Sequence, residues 1–307
     1  MRVVQIGAGG WGKNHTRILD ELGVLVGVCD PSKEVRERVR ENHHGVFCYD
    51  SVDELFRVEK FDTVFICTPT QTHFEIASLC LNAGKNVFVE KPITYDVTEG
   101  EALIHLSKIR NVKLSCGYIE RFNPAVQQVK EIIDNNELGE LLQLEFHREN
   151  QISHIKDVGI IHDTSVHDID TANFLFGRSP EKIFAHAGSY KHEYEDHAII
   201  TLEYGKGAAV ITSNWVTPNK TRNFTATFVD GVVTGNFLTQ QITIHSQTES
   251  LTPKLKYQEP LRREIESFLG AVEGKNELVV KPEEAVDVSA IAMKALLSSK
   301  EGKIIVH

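Results

Sequence analysis

The feature that most constrains this chain lies at its start. An apolar run, Arg2–Ile6, leads at once into Gly7-Ala8-Gly9-Gly10-Trp11-Gly12, and an amphipathic stretch, Trp11–Leu22, follows. A strand that enters glycines at the first, third and sixth positions and leaves as a helix is the turn that opens a dinucleotide-binding unit. Gly7 permits the tight turn, Gly9 lets the backbone approach a pyrophosphate, and Gly12 lets helix and strand pack closely. The helix N-terminus then presents unpaired N–H groups and a partial positive charge to the phosphates. Gly10 and Trp11 complete the candidate phosphate loop.

The pattern continues through the first 118 residues. Leu25–Cys29, Thr63–Cys67, Asn86–Glu90 and Lys113–Cys116 read as strands buried on both faces. Ser32–Asn42, Thr72–Ala83 and Asp96–Ile109 read as helices between them. Ser51-Val52-Asp53-Glu54 has the capping-box arrangement of a further short helix. Such alternation predicts a doubly wound parallel α/β sheet, a Rossmann domain over residues 1–118. After Gly117 the pattern changes. Helices are expected over Pro124–Asn135 and Asp163–Phe176, and a long strand over Glu140–Asn150. Strands joined by short turns then run from Lys182 to His245, which implies antiparallel pairing. Two helices, Leu261–Val272 and Pro282–Ser299, close an α+β domain expected over residues 119–307.

Candidate cofactor contacts cluster at strand ends. Asp30 ends the second strand 18 residues after Gly12, where a carboxylate accepts from the ribose hydroxyls and repels a 2′-phosphate, favouring NAD. An Asp before a Pro could equally cap the next helix. Thr68 and Pro69 follow the fourth strand at the carboxyl edge, where ligands of such sheets bind. His73, just beyond, touches the cofactor or merely occupies the first turn of the next helix. Glu90-Lys91-Pro92 closes the fifth strand at the same edge, and Lys91 there is a candidate electrophile or proton donor, or else a surface ion-pair partner.

In the second domain the run from Asp157 to Asp170 concentrates acids and histidines. On a helix, Asp163 and His167 stand at i and i+4, on one face. A carboxylate one turn from an imidazole orients it and stabilises its protonated form, which suits a general base taking a hydroxyl proton. An N-cap aspartate with a core histidine is the plainer reading. Zinc held by His162, Asp163, His167 and Asp168 is the sharper rival, but no further ligand cluster is evident, so no metal is expected.

Composition narrows the partners. A net charge of −10 without a basic stripe disfavours nucleic acid and anionic membranes. The five cysteines, Cys29, Cys48, Cys67, Cys80 and Cys116, form no CxxC pair and read as reduced thiols. No basic segment precedes a long apolar run and no stretch approaches the length of a membrane span, so a soluble cytoplasmic protein is expected.

With these residues assembled, the chain resembles the Gfo/Idh/MocA family of nicotinamide-dependent sugar and cyclitol oxidoreductases along essentially its whole length. The resemblance rests on GAGGWG, TPTQTH, EKP at residues 90–92, DVGIIHDTSVHDID and the terminal segment beginning LRREIESFL. It implies NAD as cofactor, Lys91, Asp163 and His167 as the catalytic trio, and a large, mostly antiparallel open sheet that forms a homodimer or homotetramer interface. Within the family, Gly117-Tyr118-Ile119-Glu120-Arg121-Phe122-Asn123-Pro124 is similar to the members that oxidise the 3-hydroxyl of UDP-N-acetylglucosamine. That likeness implies a nucleotide-sugar substrate, whose diphosphate needs cations that Arg121, Arg148 and Lys156 could supply, Arg148 and Lys156 being otherwise surface charges; Asn123 and His162 are further substrate-binding candidates. Tyr118 and His162 depart from the pattern at positions that bear on substrate choice. A free sugar or cyclitol, a non-catalytic NAD-binding sensor and an NAD-dependent glycosidase remain alternative readings of one fold.

Overall fold

The computed structural model describes residues 1–151 and 158–307. They divide into two compact units: residues 1–117 with 261–286, and residues 118–260 with 287–307. The chain was expected to change domain once, after residue 118. It does so at Gly117/Tyr118, at Pro260/Leu261 and again at Val286/Asp287.

The first unit is built on six parallel strands in the order β3-β2-β1-β4-β5-β6. These are β1 (Val3–Ile6), β2 (Leu25–Cys29), β3 (Phe47–Tyr49), β4 (Thr63–Ile66), β5 (Asn86–Glu90) and β6 (Leu114–Gly117). Helices α1 (Gly12–Glu21), α2 (Lys33–Asn42), α3 (Val52–Val58), α4 (His73–Asn82) and α5 (Val97–Arg110) connect them. Strand order reverses beside β1, which places the glycine turn at the topological switch point where α/β sheets take their ligands. β3 went unread in the sequence because its three residues are too few for a periodicity. Side-chain caps start α2, α3 and α5: Ser32 accepts from Val35 N, Ser51 from Glu54 N and Asp96 from Thr98 N. The capping box at Ser51 is completed differently from the expected pattern, since the Glu54 carboxylate accepts from Asp50 N. The core centres on Phe65 and Phe88, stacked at 4.9 Å, with the Phe268 ring edge-on at 5.6 and 5.4 Å. Phe268 belongs to α8 (Pro260–Val272), so this aromatic contact ties the late helix to the N-terminal sheet.

The second unit carries nine strands in the order β14-β13-β12-β11-β7-β10-β9-β8-β15. In chain order they are β7 (Leu141–Glu149), β8 (Lys182–Gly188), β9 (His197–Tyr204), β10 (Gly207–Asn214), β11 (Thr221–Phe228), β12 (Gly231–Asn236), β13 (Gln241–Ser246), β14 (Ser250–Leu251) and β15 (Ile305–Val306). All neighbours are antiparallel except β7 and β10. One sheet face is covered by α6 (Pro124–Asp134), α7 (Val166–Phe176) and the later part of α9 (Pro282–Glu301). The strands alternate accordingly: Leu144, Phe146, Ile211, Phe224 and Ala226 are buried, whereas Phe184 and Ile199 on the opposite face stay exposed. No helix among the described residues is long and apolar enough to cross a membrane.

Candidate active site

The glycine loop is shaped by the chain itself at two positions and not at the others. A Cβ on Gly7, whose φ is +85°, would meet Cys67 O at 2.5 Å, and one on Gly12 would meet Gly7 O at 2.4 Å. Gly9 and Gly10 face open space, with nothing within 4 Å of such a Cβ. The protein therefore has no steric need of glycine at Gly9. A phosphate group approaching the backbone would supply that need, so the loop fits the pyrophosphate of a dinucleotide. Gln5 holds the loop in form by donating to Gly7 O and Gly12 O at 2.8 and 2.7 Å, and Thr16 donates in turn to Gln5 Oε1.

Asp30 does not cap α2; Ser32 does. Its carboxylate accepts from Ala8 N and Ser32 N, both at 2.9 Å, which latches the end of β2 to the loop. Two of a carboxylate's roughly four acceptor positions are thereby used, which leaves capacity for ribose hydroxyls. Arg38, unnoticed in the sequence, reaches Ala8 O from α2.

Glu90 organises the other half of the cofactor edge. Its carboxylate accepts from Trp11 Nε1 at 2.9 Å, His15 Nε2 at 2.7 Å and Lys91 N at 3.1 Å. Burial alone would raise its pKa, but the His15 contact and the Lys91 charge outweigh burial and hold it below the ordinary value. The half-exposed Trp11 ring and the partly exposed Lys91 are thus both anchored through Glu90, and the Lys91–Pro92 bond is cis. Thr68 and Pro69 lead into a single 3-10 turn, Thr70–Thr72, where Thr72 Oγ1 donates to Pro69 O and Thr68 Oγ1. His73 has a structural role. Its ring is buried, with Nδ1 2.9 Å from Pro92 O and Nε2 2.9 Å from Thr68 O, so it clasps the two turns together.

In the second unit, the helix expected from Asp163 opens instead as a π-helical turn, Ile161–Ser165, before α7 begins. Such turns commonly mark functional positions because they displace side chains from the regular helical stripe. Glu195 caps it, accepting from Ile161 N through its carboxylate and from Ile160 N through its carbonyl. From Val158 to Ala172 every residue is buried except Asp163 and His167. The two side chains picked out by their i, i+4 spacing are therefore the ones this packed segment presents outward. Thr164 Oγ1 donates to Asp163 Oδ2 at 2.9 Å.

Four expected substrate contacts are buried in this structure: Arg121, Asn123, Arg148 and His162 are exposed by 3%, 2%, 5% and 1%. Arg121 is paired with Asp170 through Nε and Nη2, at 3.0 and 2.7 Å. Arg148 is paired with Asp168 at 2.8 Å and Glu120 at 3.0 Å. Asn123 caps α6 through Oδ1 and donates to Glu120 and Phe237 O. For Arg148, burial lowers the pKa, but Asp168 and Glu120 outweigh it and raise it. Breaking either buried pair by removing one partner costs about 3–5 kcal/mol, because the other charge is then stranded. Both arginines are thus held in buried ion pairs. Burial lowers the His162 pKa to about 4, so its imidazole is neutral. Lys156 and Asp157 lie outside the described residues. Among the described residues no group of three or more His, Cys, Asp and Glu converges as a metal site.

Comparison with known proteins fits this geometry. Residues 1–118 match the family described as an oxidoreductase family with an NAD-binding Rossmann fold, and residues 126–234 match the GFO/IDH/MocA C-terminal domain. The chain belongs to the Gfo/Idh/MocA family. It is an NAD-dependent oxidoreductase whose relatives act on CH–OH groups. UDP-N-acetylglucosamine 3-dehydrogenase from Acidithiobacillus ferrooxidans is 29% identical, over 89% of this chain and 88% of its own length. The solved structure of that enzyme superposes with a TM-score of 0.90, covering 98% of both chains at 27% identity. Inositol 2-dehydrogenase from Rhizobium meliloti is 27% identical over 96% of each chain. An oxidoreductase from Agrobacterium radiobacter, solved with NAD+, L-tartaric acid and magnesium, shares the fold at a TM-score of 0.89 and 16% identity.

Proposed function

We propose that the chain oxidises the 3-hydroxyl of a UDP-N-acetylated hexosamine or its uronate. The observation that carries the chemistry is the selective exposure of Asp163 and His167 within an otherwise buried segment. His167 takes the hydroxyl proton as the C–H bond breaks, Asp163 steadies the resulting imidazolium, and Lys91 stabilises the oxygen as it becomes a carbonyl. The glycine loop and Asp30 would hold NAD, which when bound would supply the hydride acceptor, so that the substrate, having given its hydroxyl proton to His167, would lose two hydrogens and become a ketone. Nucleotide-sugar specificity draws support from the near full-length likeness to the Acidithiobacillus enzyme. A cyclitol substrate is the second reading, supported by the likeness to inositol 2-dehydrogenase.

The test incubates the protein and NAD with UDP-N-acetylglucosamine, its uronate, free hexoses and myo-inositol, and identifies products by mass spectrometry. Loss of two hydrogens from a nucleotide sugar is the expected result; oxidation of inositol alone would overturn that substrate. We further propose a cytoplasmic homodimer or homotetramer, with the sheet face bearing Phe184 and Ile199 covered. A monomer in sedimentation equilibrium would contradict the assembly.

A further inference from the structure

Arg222 is a cation that the sequence pattern did not single out. On β11 it stands directly opposite Arg148 of β7, as Phe224 stands opposite Phe146. The alternation places it on the helix-covered face of its sheet, in the same row as Arg148. Two like charges directly opposite one another on adjacent strands repel. Arg148 is compensated by Asp168 and Glu120, but Arg222 has only neutral hydrogen-bond partners: Asn150 Oδ1 accepts from Nη2 at 2.5 Å, and Thr221 O accepts from Nη1 at 3.3 Å. Among the described residues no carboxylate lies within ion-pair distance of it. Of the five N–H donors on a guanidinium, three are left for another acceptor.

The electrostatics agree with this geometry. Burial, reinforced by repulsion from Arg148, pulls the Arg222 pKa down to about 10, while Asp168, Glu120 and Asp163 act weakly the other way. A guanidinium stays protonated at neutral pH, so Arg222 is a half-buried cation with no carboxylate bonded to it among the described residues. Arg148, directly opposite Arg222, meets Asp168 at 2.8 Å, and Asp168 follows His167 on α7, so the row holding Arg222 runs along the helix that carries His167. The side chain is only partly buried and can still be reached.

We propose that Arg222 is a specificity-determining residue that receives an anionic group of the substrate, a phosphate or a carboxylate, beside the Asp163/His167 pair. Its planar fork matches either group in bidentate fashion. This inference rests on the nucleotide-sugar reading, because a free cyclitol offers no anion.

The experiment compares wild type, Arg222→Lys and Arg222→Met with UDP-N-acetylglucosamine, its uronate and myo-inositol, measuring KM and kcat separately. NADH affinity by fluorescence titration reports that each variant keeps its folded cofactor site. Arg222→Met is expected to raise KM about 10–100-fold, the loss of one charge-assisted hydrogen-bonded contact, with kcat changed less than about threefold and Arg222→Lys in between. An equal rise for both nucleotide sugars assigns the diphosphate; a rise confined to the uronate assigns the sugar carboxylate. Unchanged KM for every nucleotide sugar that the wild type oxidises overturns the role of Arg222 and leaves the substrate reading standing. Wild-type turnover of myo-inositol alone overturns both, and it is visible before any variant is made.

Discussion

Gly9 and Gly12 are spelled alike in the sequence, yet different things demand them. Gly12 is required by the chain, since a Cβ there would sit 2.4 Å from Gly7 O, whereas Gly9 has nothing within 4 Å. Gly12→Ala is therefore expected to destabilise the protein by about 1–3 kcal/mol through overpacking. Gly9→Val should melt like wild type yet bind NADH at least about tenfold more weakly, because its side chain projects where the pyrophosphate approaches. Paired thermal melts and fluorescence titrations check this, and wild-type NADH affinity in Gly9→Val would contradict the loop's role. Legibility at this scale depended on whether a partner was near in sequence. Asp163 and His167 could be singled out because they stand four positions apart, and they are the two residues between Val158 and Ala172 that are not buried. The partners of Arg121 and Arg148 were not legible, because Asp170 and Asp168 lie 49 and 20 residues away. A guanidinium waiting for a phosphate and one already held by a carboxylate look the same in a one-dimensional pattern.

The π-helical turn over Ile161–Ser165 places His162 inward and Asp163 outward. No residue type marks such a turn, since it differs from an α-helix only in which carbonyl each N–H meets, so the sequence indicated a plain helix. Its buried histidine has a consequence for acid stability. Burial lowers the His162 pKa from 6.5 to about 4, while in the unfolded chain it returns to about 6.5. Below that pH the unfolded chain binds a proton that the folded one excludes, so stability falls as pH drops from about 6.5 toward about 4. At about 1.4 kcal/mol per pH unit, the full loss is about 3–4 kcal/mol. His73, whose pKa is lowered by burial against its carbonyl contacts, acts in the same direction. His162→Gln should flatten this acid limb in urea unfolding series taken across the same pH window. An unchanged slope would show that the imidazole is not kept neutral.

At the scale of the whole molecule, strand–helix alternation was enough to foresee a parallel sheet and the position of its ligand edge. Short turns foresaw the antiparallel character of the second sheet. The parallel pairing of β7 with β10 and the return of residues 261–286 to the first unit were not foreseen. An amphipathic helix shows that it covers something; only the packing of Phe268 against Phe65 and Phe88 shows which sheet. The cofactor loop sits in the first unit and the outward-facing acid–base pair in the second, and the proposed reaction needs both. The most direct test of it is the turnover of His167→Ala beside its affinity for NADH. Turnover is expected to fall by about 10²–10⁴-fold while NADH binds as in wild type. Turnover at the wild-type rate with NADH still bound would remove His167 as the base and contradict the mechanism.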